Sequence, residues 1–263
     1  MKKGFDFVNN NGKFTDEACI DLGVGRNMVN SIRFWLKAFN VIDLENEKNT
    51  EIADFIFNEE SGKDKYLENE TTLWLLHYLL VSQEYSSIYS IIFNHFRKIK
   101  PEFDKDNFVS YMLSENSKIN KNTLGKDFSI FLRTYYSKDI KNIEDSFYGL
   151  LSDLSLVHEI KKDTSLKFYI QNATENSIPL DLVLFVILEN QNYGQSISFK
   201  QLFNDFNSVG NIFAFTQEQL EKKLIQISEK YSSILYTNDA GVKELQFKGN
   251  KPNSLKILEK CYE

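Results

Sequence analysis

A chain of 263 residues, 42% hydrophobic and 14% aromatic with only three prolines, describes a folded, largely helical protein with room for two or three small domains. Its formal net charge of −6 speaks against a non-specific nucleic-acid coat, and two cysteines, Cys19 and Cys261, support neither a disulfide framework nor a structural zinc site. The longest apolar runs, such as 73–81, are too short and interrupted to span a bilayer, and no basic, apolar leader opens the chain; the expectation is a cytoplasmic protein with no membrane partner.

Residues 1–14 read as a lead-in whose Phe5, Phe7 and Val8 pack onto the first domain, with a turn at Asn9-Asn10-Asn11-Gly12. Thr15 is placed to cap a short helix carrying Asp16 and Glu17 in its first turn, where the helix dipole favours negative charge. The turn Leu22-Gly23-Val24-Gly25 then leads into a helix from Arg26 to Phe39. On it, Met28, Ile32, Trp35 and Phe39 share one face. The positions two residues back, Arg26, Asn30, Arg33 and Lys37, lie roughly 200° away and include no acid. The result is a helix-turn-helix whose second helix has the chemistry of a major groove reader. Arg26, Asn27, Asn30 and Arg33 would face base edges, and Lys37 would hold phosphate. Polar helix faces are more often simply solvated, and the same shape serves protein contacts, so both readings stand. Residues 41–44 read as a strand and 45–49 as a hairpin tip too acidic to touch phosphate, hence a degenerate wing or one that faces a protein. Thr50 caps a helix through Phe57, closing a first winged-helix-like domain at 1–57.

Residues 58–70 form a charged connector. A helix starting at Thr71 or Thr72 is apolar on nearly every side and therefore buried. A second, Ser86 to Arg97, turns Ile88, Ile91, Ile92 and Phe96 inward, and the two make a helical hub at 58–100. Beyond Pro101, a helix over 104–114 precedes one from Lys121 to Tyr136, with Leu124, Phe128, Phe131 and Tyr135 inward. Asn122, Lys126, Ser129 and Arg133 lie opposite, the pattern of the Arg26 helix again; Asn122, Lys126 and Arg133 are candidate DNA contacts. Strands over 156–160 and 166–170 flank a Lys161-Lys162-Asp163 tip, a plausible wing with two lysines for phosphates, giving a second winged-helix-like domain at 101–175. A third, 176–263, has helices over 180–189 and 199–206, a helix capped by Thr216 with Gln219 at capping-box spacing, and strands over 234–236 and 244–247 around Asp239-Ala240-Gly241. Its outward set, Glu218, Lys222, Ile225 and Glu229, suits a protein contact better than a phosphate backbone. Charge follows the same division. Residues 41–70 carry three Lys/Arg against ten Asp/Glu, whereas 97–141 carry ten against six. The fold expected is mainly α with small β wings, as tandem winged-helix or helix-turn-helix units around a helical hub.

Three blocks carry a family resemblance: LGVGRNMVNSIRFWLKAF at 22–39, LENETTLWLLHYLLVS at 67–82 and NTLGKDFSIFLRTYY at 122–136. They resemble the bacterial domain-of-unknown-function family 4007 (DUF4007), over most of the chain to about residue 160 and more weakly beyond. The N-terminus is short and lacks the extended leader of relatives. Those relatives tend to be encoded beside enzymes resembling phosphosulfate reductases and cysteine desulfurases, in clusters thought to modify DNA with sulfur (phosphorothioation) and resist phage. The resemblance implies an accessory DNA-binding part of such a system and supplies no catalytic residues.

Nothing in the residues themselves points to catalysis. His77 sits in an apolar helix as a core histidine would, His95 at a helix end and His158 in a strand, without metal-ligand spacing. Gly23-Val24-Gly25 lacks the rest of a phosphate-binding fingerprint. The expectation is therefore no enzyme, no cofactor and no metal. The partner is double-stranded DNA, alongside proteins of a modification or defence complex or a second copy in a homodimer. One such unit binds non-specific DNA at only about 10⁻⁴–10⁻⁶ M near physiological salt, so useful affinity needs both units, a dimer or a complex. The alternatives are a protein–protein adaptor subunit, or a transcriptional regulator of its own gene cluster.

Overall fold

The computed structural model describes residues 1–136, 149–162, 165–174, 176–239 and 241–263. The chain forms two compact units, Met1–Ser87 and Ile88–Glu263. It is mainly helical, with two three-stranded antiparallel sheets, both in the second unit.

The first unit contains α1 (Lys2–Asn9), α2 (Ala18–Leu22), α3 (Arg26–Ala38), α4 (Glu51–Phe57) and α5 (Glu70–Ser82). What reads as a lead-in is thus a helix, because Gly4, Phe5 and Phe7 bury one side of it. Phe7, Ala18, Leu22 and Val29 form a small core, and Phe5 packs on Phe57 at 5.6 Å between ring centres. Helix α2 starts later than Thr15 and Asp16 suggest, and has no side-chain cap. Its end is a Schellman motif: Gly23 N–H donates to the Ile20 carbonyl and Val24 N–H to that of Cys19, at 3.1 Å each. Gly23 holds φ +60°, a conformation in which any Cβ is strained, so the turn into α3 needs glycine there. The 41–44 strand reduces to a single bridge, Ile42 with Asn49. Thr50 caps α4 as expected, accepting from Ala53 N–H at 3.2 Å. Helix α5 is buried on almost all sides, including His77, which lies edge-on to Trp74.

In the second unit, α6 (Ser87–Ile91) continues through a π-helical turn (Ile92–Phe96) into α7 (Arg97–Ile99). Then come β1 (Glu102–Phe103), α8 (Lys105–Glu115), α9 (Lys121–Tyr135), β2 (Val157–Lys162) and β3 (Ser165–Ile170), with sheet order β1-β3-β2. The same sequence of elements recurs: α10 (Leu180–Glu189), β4 (Ser196–Ser198), α11 (Phe199–Asn204), α12 (Val209–Ile212), α13 (Gln217–Lys230), β5 (Ile234–Asp239) and β6 (Val242–Phe247), with order β4-β6-β5. The second run adds α12, the first has a short 3-10 turn at Ser152–Leu154, and α14 (Ser254–Glu259) follows.

An aromatic core fixes α9. Phe93, Phe96, Phe103, Phe108, Phe128, Phe131 and Tyr135 are all buried, with ring centres 5.3–6.5 Å apart for the pairs that touch. Such pairs contribute about 0.5–1.5 kcal/mol each beyond their buried area. The inward stripe expected for α9 is therefore the observed one. The π turn, which the sequence does not reveal, places Asn94 inside, where its amide donates to Asn207 Oδ1 at 2.9 Å and its oxygen accepts Asn207 N–H at 2.7 Å. Arg97 donates to the carbonyls of Phe93, Gly210 and Asn211, and burial pulls its guanidinium pKa down to about 10. Helix α13 begins with the capping box expected from Thr216 and Gln219.

Candidate nucleic-acid interface

Two helices carry the cations that could meet a duplex, and the structure treats them oppositely. On α3 the buried positions are Val29, Leu36, Ala38 and, just past the helix, Phe39. Met28 is 55% exposed and Trp35 only half-buried, so the inward face is one residue out of the register expected from Met28 and Trp35. The apolar arc of this helix is wide: Val29 and Leu36 are buried in place of Met28 and Trp35, while Ile32 packs against the core and Phe39 is buried, as expected.

The basic side of α3 is open at one end and closed at the other. Arg26, Asn27 and Asn30 are exposed. Arg26 pairs with Asp16 at 3.0 Å, a contact between two largely solvated groups that contributes little. Arg33 and Lys37 are engaged more firmly. Both donate to Glu47 Oε1: Arg33 through Nη2 at 2.5 Å and Nε at 2.8 Å, and Lys37 through Nζ at 2.7 Å. Lys37 also donates to the Leu44 carbonyl at 3.0 Å and is only 12% exposed. Burial raises the Glu47 pKa, but hydrogen bonds and charge from Lys37 and Arg33 outweigh it and hold the carboxyl below its ordinary range. The acidic tip noted in the sequence thus folds back onto the basic face. No motif announces this, because the partners lie 10 and 14 residues apart and meet only when the loop closes.

On α9, the outward set read from the sequence is the observed one. Asn122, Lys126 and Arg133 are exposed, and Ser129 lies half-buried between them, its hydroxyl donating to the Gly125 carbonyl at 2.9 Å. Two further cations, not among those expected from the sequence, join them. Lys121 opens α9. Lys105, the first residue of α8 after its Asp104 cap, lays its stem near α9, its Cδ 3.6 Å from where a Cβ on Gly125 would be. Together with Asp106, Val109 and Ile130 these residues line a groove of about 720 Å³ between α8 and α9. A smaller hollow of about 330 Å³ adjoins it, sharing Lys105, Asp106 and Ser129 and reaching Leu166 and Phe168 of β3. Among the described residues no carboxylate pairs with Lys105, Lys121, Lys126 or Arg133, so four cations face solvent with Asp106 as the one acid lining the groove. Lys161 is exposed at the end of β2; the Lys162 side chain and Asp163, the rest of the expected wing tip, lie outside the described residues, as does Ala240 in the last turn.

Helix α13 turns the expected mixed set outward, with Glu218, Lys222, Ile225 and Glu229 exposed. Its neighbouring hairpin is drawn in by Glu221, which accepts from Lys243 Nζ at 2.6 Å, Tyr236 Oη at 3.2 Å and Asn238 Nδ2 at 3.3 Å. Among the described residues, no three His, Cys, Asp or Glu side chains converge as metal ligands would, and no helix is long and apolar enough to cross a membrane.

A family model described as "Protein of unknown function (DUF4007)" matches residues 1–262, and the chain belongs to that family. No curated protein matches the sequence. Two solved structures share the fold. A magnesium ion-bound SspB crystal structure is 19% identical over 100% of this chain and 85% of that one, with a TM-score of 0.83. A second SspB crystal structure is 20% identical over 99% and 80%, with a TM-score of 0.81.

Proposed function

From membership of this family and the chemistry of α9, we propose that the chain is a DNA-contacting accessory protein of a bacterial DNA modification or phage-defence system. The observation that carries the reading is the uncompensated cationic face of α9. Phosphate neutralisation supplies most of the affinity for duplex DNA, and cations with no carboxylate partner provide it without first giving one up. Helix order and sheet order in 88–170, repeated in 180–247, support winged-helix units in which α9 and α13 hold the recognition position. In the first of these, Lys121, Lys126, Arg133 and Lys105 hold phosphates, and Asn122 has the donor–acceptor pair that suits adenine. The system to which it belongs is inferred from the company that similar proteins keep in their gene clusters.

The test is duplex binding at low salt by the whole protein. Lys126→Gln with Arg133→Gln sharply weakens binding, whereas Arg26→Gln with Asn30→Ala leaves most of it. Loss from the α3 pair alone, or no binding by the unaltered protein, defeats the reading. A second reading, a protein–protein adaptor, is favoured by the first unit: its basic side is closed by Glu47, while Ile20 and Met28 stand 82% and 55% exposed. It predicts capture of a partner protein by a surface that Ile20→Ser with Met28→Ser destroys.

A further inference from the structure

The clasp on α3 is built more carefully than an incidental surface ion pair. Three donors from two side chains converge on one oxygen, Glu47 Oε1. Arg33 offers its Nε and one Nη in the fork that also suits a phosphate oxygen, and Lys37 completes the cradle. The loop that delivers the carboxylate is itself held. Asp43 Oδ1 accepts the N–H groups of Glu45 and Asn46 at 3.0 and 2.9 Å, and Asp43 N–H donates to the Lys48 carbonyl at 2.8 Å. Glu47 sits at φ +56°, the left-handed region that a glutamate seldom occupies. From this backbone conformation its carboxylate reaches both cations.

We infer that Arg33 and Lys37 form a phosphate-binding site in the first unit, which Glu47 occupies as an internal substitute and yields to the phosphodiester backbone of duplex DNA. The carboxylate occupies the place of a phosphate oxygen. Arg26, Asn27 and Asn30 continue along the same exposed side of α3, so a backbone displacing Glu47 would meet further donors there. The site lies outside the α9 face and stands or falls apart from it.

The experiment measures duplex binding against salt for the whole protein already carrying Lys126→Gln and Arg133→Gln, so that α9 contributes little. Adding Glu47→Gln, which keeps the side chain's size, is expected to tighten binding several-fold. It also steepens the slope of log K against log[salt] by up to about 1.8, two phosphate contacts' worth. Glu47→Gly removes the carboxylate and suits the left-handed backbone, so it reproduces the gain even where the glutamine variant folds poorly. Adding Arg33→Gln and Lys37→Gln abolishes the gain. Inorganic phosphate alone distinguishes the sources: phosphate binding by the Glu47→Gln protein that is lost with Arg33→Gln and Lys37→Gln, without any gain in duplex binding, shows a site for the free ion and refutes the duplex assignment. The inference is overturned if neither Glu47 variant binds more tightly, or if the gain survives loss of Arg33 and Lys37. Failure of binding through α9 in the unaltered protein leaves this comparison intact.

Discussion

Gly149 offers a test of how the α9 face is held, because the position tolerates no side chain. A Cβ there would lie 1.8 Å from the Arg133 carbonyl oxygen and 2.7 Å from both the Cα and the carbonyl oxygen of Thr134. These atoms are backbone of the last turn of α9 and cannot rotate away. Accommodation requires a shift of more than an ångström at the junction where Leu151 N–H donates to the Thr134 carbonyl at 3.1 Å. Overpacking of this kind costs about 1–3 kcal/mol. One lost hydrogen bond adds about 1 kcal/mol, for a total of about 2–4 kcal/mol. Gly149→Ala should therefore lower the melting temperature by about 4–16 °C, taking about 2–4 °C per kcal/mol for a chain of this size. The same change at Gly125, inside α9, has the opposite sign: its Cβ meets only the flexible Lys105 stem at 3.6 Å. Replacing a helical glycine there stabilises by about 0.8–1 kcal/mol. Thermal unfolding followed by circular dichroism reads both. Equal melting temperatures for the two variants, or a Gly149→Ala protein as stable as the unaltered one, would refute this packing of α9.

Two further outcomes follow from local chemistry. Thr216→Ala removes half of a complete capping box and should cost about 0.5–2 kcal/mol, measurable by denaturant unfolding; Thr216→Ser should restore most of it. Cys261 should resist alkylation at pH 8 in the native protein and react once unfolded. Burial, then the nearby Asp181 carboxylate, pushes its thiol up to about 12, more than Lys230 and the Leu182 N–H pull it down. A lowered proton affinity is what reactive thiols show, so rapid native labelling of Cys261 contradicts this environment.

Much of α9 was legible because its signals agree. Aromatic residues at Phe128, Phe131 and Tyr135 demand one buried face, and with Leu124 they leave Asn122, Lys126 and Arg133 no other place than outside. Helix α3 misleads for the same physical reason turned round. Apolar residues at Met28, Val29, Ile32, Trp35, Leu36 and Phe39 cover an arc wider than the core it meets, and side-chain size favours Met28 and Trp35 over the Val29 and Leu36 that are buried. Strands β1 and β4 span two and three residues and exist only through pairing with β3 and β6, so periodicity does not reveal them. The pairing of Glu47 with Arg33 and Lys37 is likewise a product of loop closure. The sequence showed an acidic tip beside a basic helix, yet not that one neutralises the other.

In the proposed complex a duplex lies on α9. Ile130 and Ile225 occupy outward positions on α9 and α13 and are 41% and 43% exposed, so exposure alone does not distinguish them. A photoreactive phenylalanine analogue placed at either position and irradiated with bound duplex reports proximity directly. Binding through α9 predicts protein–DNA crosslinks from position 130 and few from position 225. Crosslinking from 225 alone, or none from 130 while the duplex is bound, would contradict it.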